Sequence, residues 1–136
     1  MVYEVKVSFT TIDEKSGNEK VCKEHYIVGD ALRFSEAENA TELECKGNNN
    51  LDVTEIKRSR LKEILNKRTS GDEYIWIAEV RDTFTNDEGE EQELTYKVAF
   101  YSKTIDSAMA YIKEYLRQGY DMGLISLKKS NFVDVI

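Results

Sequence analysis

The chain has 136 residues, of which 40% are hydrophobic and 33% are charged, and it contains no proline. This composition fits a folded globular protein and excludes a disordered one, and no apolar run approaches the ~20 residues of a membrane span. The formal net charge of −7 argues against a protein whose entire surface binds nucleic acid.

The first half of the chain opens with a predicted β-hairpin. Residues 2–12 (VYEVKVSFTTI) and 21–28 (VCKEHYIV) alternate apolar and polar side chains, which is the pattern of half-buried strands. The segment between them, 13–19 (DEKSGNE), is a polar turn that contains glycine. The buried face of the first strand should carry four side chains: Tyr3, Val5, Val7 and Phe9.

A helix is predicted next, over residues 34–46, followed by a third strand that begins near Leu51. Ser35 is the expected N-cap, and Gly47 is the expected residue just after the helix ends. Apolar residues recur every three positions, so the helix should bury only a narrow stripe: Phe34, Ala37, Ala40 and Leu43.

The second half has the same order of elements. A strand begins at 74–84 (YIWIAEVRDTF), the polar segment 85–93 forms a turn, and a second strand follows from Leu94. The helix is predicted over 105–119, with Asp106 as its N-cap. Its apolar face is wider than that of the first helix and contains Ala108, Met109, Ile112, Tyr115 and Leu116.

Residues 51–65 (LDVTEIKRSRLKEIL) align with residues 122–136 (MGLISLKKSNFVDVI) at a constant offset of 71. The same offset pairs Tyr3 with Tyr74 and Ala37 with Ala108. We infer an internal duplication, with a first repeat at 1–70 and a second at 71–136.

Each repeat therefore predicts a β-β-α-β unit, and the fold class is α+β. Because one helix covers only one face of a three-stranded sheet, the two repeats should share a compact domain. They would form two small antiparallel-rich sheets, or one combined sheet, with two helices. The segments LKEIL (61–65) and FVDVI (132–136) match each other, so both are expected to be structural strands or turns.

The segments VSFTTIDEKSGNEK, after the first strand, and SLKKSNFVDVI, at the end, resemble an uncharacterised domain family of gut bacteria, their mobile elements and their phages. The resemblance covers essentially the full chain. The family has no established activity, so no functional residue is transferred from it. The resemblance implies an accessory protein of a bacterial host.

No catalytic or metal-binding motif is recognisable. Cys22 and His25 have a spacing that zinc sites use, but residues three apart on a strand point to opposite faces. We expect Cys22 to face inward and His25 to face solvent, with Cys45 too distant in sequence to complete a site. The only histidine is His25, and glycine-rich phosphate loops and nucleophile motifs are missing. The sequence predicts a protein that is not an enzyme and has no cofactor or metal.

Two cysteines in a chain of this size favour a reducing compartment, so the cytoplasm is the expected location. The N-terminal segment MVYEVKV lacks the basic and apolar regions of a signal peptide. Neither a membrane partner nor a particular oligomeric state is predicted.

Positive charge is concentrated in one segment. Residues 56–68 (IKRSRLKEILNKR) hold six basic residues against one acidic residue, a net +5, which leaves −12 on the rest of the chain. Its equivalent in the second repeat retains two lysines. A nucleic-acid site is predicted from these two clusters: Lys57, Arg58, Arg60, Lys62, Lys128 and Lys129.

Most of the aromatic residues, Tyr74 and Trp76 among them, fall on the predicted core faces, whereas Tyr101 lies on the opposite strand face. Proteins that bind single strands combine aromatic platforms with a basic groove, so Tyr101 joins the predicted site. The alternative explanation for the lysines is protection of edge strands.

Two classes of function remain open. The first is an accessory protein that binds single-stranded nucleic acid. The second is a protein–protein interaction module, such as a phage inhibitor of a host system, acting through acidic surface or a sheet edge. In the simplest interpretation, the acidic runs 36–44 and 87–93 are solvated surface. In the alternative interpretation, they mimic the charge of DNA.

Overall fold

The computed structural model describes residues 1–136, which form two compact units. Unit 1 comprises residues 1–59 and 132–136, and unit 2 comprises residues 60–131. Unit 1 contains β1 (Tyr3–Ile12), β2 (Glu19–Val28), α1 (Phe34–Glu44), β3 (Asn49–Arg58) and β8 (Phe132–Val135). Unit 2 contains β4 (Leu61–Ile64), β5 (Tyr74–Thr85), β6 (Glu91–Ser102), α2 (Ile105–Leu116) and β7 (Met122–Lys129).

Each unit is built on one four-stranded sheet. The strand order is β3-β1-β2-β8 in unit 1 and β4-β6-β5-β7 in unit 2. The long strands pair antiparallel, whereas β8 runs parallel to β2 and β4 runs parallel to β6. The prediction of an α+β fold with two antiparallel-rich sheets, two helices and a duplicated β-β-α-β pattern is confirmed.

The two short strands are exchanged between the repeats. Strand β4 follows β3 in the first repeat but pairs with β6 in the second, and β8 follows β7 but pairs with β2. Both segments were expected to be strands or turns, and both are strands. The residue after each one continues the exchange: Leu65 N–H donates to the Ala99 carbonyl at 2.8 Å, and Ile136 N–H donates to the Ile27 carbonyl at 2.7 Å.

The hydrophobic core of each unit lies between its sheet and its helix. In unit 1, the predicted face of β1 is buried at Tyr3, Val5 and Val7, with Phe9 partly buried. In unit 2, Ala108 and Ile112 of α2 are fully buried. They belong to the same core as the strand side chains Trp76, Ala78, Val80, Val98 and Phe100.

The exchanged segments reach both cores. Leu65 packs against the core of unit 2, and Ile136, its equivalent at the offset of 71, packs against the core of unit 1.

Both predicted N-caps are wrong. The cap of α1 is Arg33, which makes no side-chain cap bond, and the carboxylate of Glu36 instead accepts from the Leu32 N–H at 2.9 Å. The cap of α2 is Thr104, whose side chain accepts from the Ser107 N–H at 3.1 Å. In each helix the N-cap lies two residues earlier than expected, at a residue with extended backbone. Helix α1 ends at Glu44 with Cys45 as its C-cap, two residues earlier than predicted, so Gly47, with φ +100, lies one residue beyond the position expected for it.

The apolar stripe predicted for α1 is also wrong at its ends. Phe34 and Leu43 are 50% and 74% exposed, whereas Ala37 and Thr41 are fully buried. The buried residues are four apart, so the helix turns its polar Thr41 towards the sheet. The Thr41 hydroxyl donates to the Ala37 carbonyl at 2.8 Å, so this buried polar group has a hydrogen-bond partner.

The structural equivalence of the first strands differs from the sequence offset. Tyr3 lies opposite Val28 and Arg58, whereas the residue opposite Phe100 and Lys129 is Trp76. Trp76 is therefore the equivalent of Tyr3, and the pairing of Tyr3 with Tyr74 is wrong. Hairpins of unequal length (β1 and β2 have 10 residues each, β5 and β6 have 12) shift the register.

His25 is not a solvated side chain as predicted. Its side chain is 23% exposed, and its ring lies 4.2 Å from the ring of Phe132, its neighbour on β8. Its Nε2 atom is buried without a hydrogen-bond partner and lies 3.7 Å from a Glu4 carboxylate oxygen. Burial lowers the pKa of His25, and the Glu4 charge offsets only part of this effect. Lys6 and Lys57 lower the pKa further, and Glu55 raises it.

Neither helix combines the length and the apolarity that a membrane span requires.

The exchange predicts which unit each terminal residue stabilises. Leu65→Ala should lower the free energy of unfolding by about 1–3 kcal/mol, since a partly buried leucine is lost from a core. Hydrogen exchange should show reduced amide protection mainly in β5 and β6. Ile136→Ala, the matched variant, should reduce protection mainly in β1 and β2. If each variant instead loosened the sheet of its own repeat, the strand exchange would be wrong.

His25 should make stability depend on pH. Because its pKa is lowered in the folded protein, the unfolded chain takes up a proton first as the pH falls below about 6.5. The stabilisation is complete above that pH and is lost as the pH falls through the folded pKa. Urea unfolding between pH 5.5 and 7.5, about one unit either side of the free pKa, should show this loss. His25→Gln, which leaves the chain without histidine, should abolish it; an unchanged pH dependence would refute the assignment.

Candidate functional site

The six predicted basic residues are divided between the two units. Lys57 and Arg58 end β3 in unit 1, whereas Lys128 and Lys129 end β7 in unit 2. Each pair lies on a strand at one edge of its sheet. The two pairs occupy equivalent positions, because Arg58 lies opposite Tyr3 and Lys129 lies opposite the equivalent Trp76.

In unit 1 the basic residues have acidic or local partners. The Lys57 ammonium lies 3.9 Å from the Glu4 carboxylate, and its side chain is 55% exposed. Lys6 and Glu55, on the same sheet face, pair at 3.5 Å. The Arg58 guanidinium contacts the sulfur of Met1. This face therefore carries charges of both signs.

In unit 2 the lysines lie on opposite edges of the sheet. Lys62 is on β4 and Lys129 is on β7, with β6 and β5 between them. Three strand spacings correspond to about 14 Å. Arg60, which precedes β4, is exposed. The sheet of unit 2 thus separates Arg60 and Lys62 from the pair Lys128 and Lys129 instead of joining them in one groove.

Three cations of unit 2 lie over tyrosine rings. The Lys129 and Lys62 ammonium groups are each 4.0 Å from a ring centroid, those of Tyr74 and Tyr96 respectively. The third pair is Arg68 over Tyr101, at 4.8 Å. Such contacts occur about once per 70–80 residues in proteins, so unit 2 is rich in them. The three rings differ in how accessible they are to a ligand.

Tyr101 cannot serve as the exposed platform that the sequence suggested, because it is only 4% exposed. The Asn66 side chain accepts from the Tyr101 N–H at 2.7 Å and donates to its carbonyl at 3.1 Å. Ile75, its cross-strand neighbour, is 1% exposed. The end of β6 is buried on both faces, so the assumption that one face of this strand meets solvent fails there.

Tyr74 is the accessible aromatic residue of the three pairs. It is 49% exposed, whereas Tyr96 is partly buried and its hydroxyl is 3.0 Å from that of Tyr115. The sequence assigned Tyr74 to the core because it shares the alternation of Trp76. Since Trp76 is the equivalent of Tyr3, Tyr74 precedes the buried part of the strand, and the register shift is the signal that could have revealed it.

Further groups surround Tyr74. Its cross-strand partner is Ser102, and the next residue, Lys103, is 55% exposed with its ammonium 3.6 Å from Asp72. The Ser130 N–H and hydroxyl both donate to the carbonyl of Ile75, at 2.9 and 2.7 Å. These bonds fix the end of β7 beside the start of β5. We call the set Tyr74, Lys103, Lys128 and Lys129 the tyrosine–lysine edge.

The remaining reactive side chains lie in unit 1. Cys22 is half-buried and Cys45 is buried, and both are free thiols. The Tyr26 hydroxyl donates to the Glu24 carboxylate, and burial raises the pKa of both Tyr26 and Cys45. Cys22 was expected to face inward with Tyr26, but it is less buried, because it lies opposite Phe9 near the turn of the hairpin, whereas Tyr26 lies opposite Val5. No group of three or more His, Cys, Asp or Glu side chains could hold a metal ion.

Comparison with known proteins gives a family but no function. No curated protein and no solved structure has significant similarity to this chain. Residues 1–136 match the family described as "Domain of unknown function (DUF4494)", which therefore covers the whole sequence. The protein is a member of that family of domains of unknown function.

Proposed function

We propose that the protein is a non-enzymatic binding protein for single-stranded nucleic acid and that the tyrosine–lysine edge of unit 2 is its contact surface. The observation that carries the proposal is the pair Lys129 and Tyr74. A half-exposed aromatic ring and an ammonium group lie 4.0 Å apart, so a base and its phosphate could be held together. The ring would stack on an unpaired base while the lysine neutralises a phosphate.

The chemistry of this edge favours a single strand over a duplex. In a duplex the faces of the bases are covered by their neighbours, so a protein ring can stack only on an unpaired or extruded base. Lys128, which precedes Lys129 on β7, and Lys103, which follows β6, are both exposed and could contact adjoining phosphates. The ion pair between Lys103 and Asp72 is on the surface and is therefore weak.

The other predicted residues have a lesser role in this proposal. Lys57, Arg58, Arg60 and Lys62 can add long-range attraction for phosphates. Lys57 forms an ion pair with Glu4, and the Lys62 ammonium lies over the ring of the partly buried Tyr96. Tyr101 has no part in stacking.

The proposed setting is the cytoplasm of a bacterium, where the protein would act as an accessory protein of bacterial or phage origin. Support comes from the resemblance of its turn and strand segments and from its sparing use of cysteine. Neither a cofactor nor a metal is part of the proposal.

A protein–protein interaction module, such as a phage inhibitor of a host system, is the second candidate. Its support is the charge of −12 outside the basic segment, together with the edge strands β3 and β7, which pair on one side only.

Fluorescence anisotropy with labelled single-stranded and duplex oligonucleotides, over a range of salt concentrations, tests the first candidate. Single strands should bind more tightly. Lys128→Gln with Lys129→Gln should flatten the log–log salt slope by about 1.4, since each phosphate contact contributes about 0.7. Tyr74→Ala should weaken binding by about 1–3 kcal/mol for one lost stacking contact.

Lys20→Gln with Lys23→Gln is the matched control, because it removes the same charge from exposed positions of β2 in unit 1. This variant should leave the Tyr74-dependent part of the affinity intact. If the control and the Lys128 and Lys129 variant weakened binding equally, or if no oligonucleotide bound at low salt, the tyrosine–lysine edge would not be the site. Circular dichroism should show all variants folded, because surface substitutions usually change stability by about 0.5 kcal/mol or less.

A further inference from the structure

A groove of about 650 Å³ in unit 2 combines exposed aromatic rings with carboxyl groups. It lies between the segment that follows α2 and the ends of β5 and β6. Its aromatic side chains are Phe84 and Tyr120, and its carboxyl side chains are Asp82, Glu91 and Asp121. None of these residues belongs to the tyrosine–lysine edge.

The aromatic rings of the groove are accessible to solvent, so they contribute little to the stability of the fold. Tyr120 is fully exposed and Phe84 is 45% exposed. Leu94, opposite Asp82 on β6, is 49% exposed and extends the apolar surface. The Thr83 N–H donates to the Asp121 carbonyl at 2.9 Å, which ties the segment carrying Tyr120 to β5. This hydrogen bond therefore fixes the position of the groove, whose walls are apolar.

The charges of the groove select a cation. Its lining contains three carboxyl side chains and no basic side chain. In an adjoining cavity of about 420 Å³, Glu93 adds a further acid, and Arg81 lines that cavity beside Glu91 and Asp121. The Arg81 guanidinium also lies against Gly123 of β7, and the four acids that line the two cavities, Asp82, Glu91, Glu93 and Asp121, outnumber this one cation.

We propose that this groove binds a basic segment of a partner protein, with an arginine or lysine side chain against the ring of Tyr120 and its charge near Asp82 and Asp121. A cation over an aromatic face gains from the ring quadrupole, and arginine does so most often. Carboxyl groups beside the ring accept the hydrogen bonds of the same cation. An anionic partner would be repelled, and a purely apolar one would leave the carboxyl groups desolvated without partners.

The inference does not require nucleic-acid binding, and it gives the protein-binding candidate a location and a partner chemistry. The probe is a short fluorescein-labelled peptide that alternates arginine and glycine. The counterpart peptide replaces arginine with citrulline, which retains the shape and removes the charge. Anisotropy titrations with the full chain at low and physiological salt give the dissociation constants.

Tyr120→Ala should raise the dissociation constant of the arginine peptide about two- to fivefold, as expected for one cation–aromatic contact. Asp82→Asn with Asp121→Asn should raise it by up to about tenfold. Two matched controls should leave it nearly unchanged: Tyr74→Ala, which removes an exposed tyrosine elsewhere, and Glu38→Gln with Glu42→Gln, which removes two exposed acids from α1.

Three results would overturn the inference: no binding of the arginine peptide, equal binding of the citrulline peptide, or equal weakening by the α1 control, which would indicate general attraction to an acidic protein. Tyr120→Ala carries the test if the Asp82 variant is unstable, because Tyr120 is fully exposed. Tyr74→Ala and Tyr120→Ala also separate the two sites, since each should weaken one ligand and spare the other.

Discussion

The reciprocal exchange of two four-residue strands is the constraint on which the rest of the structure depends. Without β8 and β4, the strands β2 and β6 would each present an unpaired edge, although their inner residues Ile27 and Ala99 are fully buried. Buried backbone groups without partners are costly, so the exchanged segments supply those partners. Each repeat of the sequence therefore leaves its last strand in the unit that holds the other repeat's hairpin.

The exchange also positions the tyrosine–lysine edge. The chain passes from unit 2 to unit 1 between Asn131 and Phe132, so β7 must end just before that point. The bonds of Ser130 to the carbonyl of Ile75 mark this end, and they hold Lys129 beside Tyr74. In the first repeat the same position has Ser59, whose N–H donates to the Val2 carbonyl at 2.8 Å. No exposed tyrosine precedes β1, so the equivalent lysine–arginine pair lacks an aromatic partner.

Much of the fold could be predicted because it depends on local patterns. Alternation identified the strands, the wide apolar face identified α2, and matched residues at an offset of 71 identified the duplication. The same alignment equated LKEIL with FVDVI, but it could not reveal that these segments are exchanged. Tertiary packing decides which strands pair with each other, and a local sequence pattern does not reveal that choice.

The candidate site was predicted only in part, for physical reasons that differ between residues. Lys128 and Lys129 were found because charge clusters are visible in a sequence. Tyr101 was misjudged because both faces of the end of β6 are buried, and Tyr74 was missed because the longer second hairpin shifts the register. Tyr120 gave no signal, because it lies between α2 and β7, where no periodic pattern predicts burial or exposure.

The most direct measurement of the proposed function is a titration of isotopically labelled protein with an unlabelled single-stranded oligonucleotide, followed by amide chemical shifts at low salt. We expect the largest changes at Tyr74, Lys103, Lys128 and Lys129, with smaller changes at the neighbouring Ser102 and Ser130. Changes confined to unit 1 or to the groove around Tyr120, or no changes at saturating oligonucleotide, would contradict the assignment of nucleic-acid binding to the tyrosine–lysine edge.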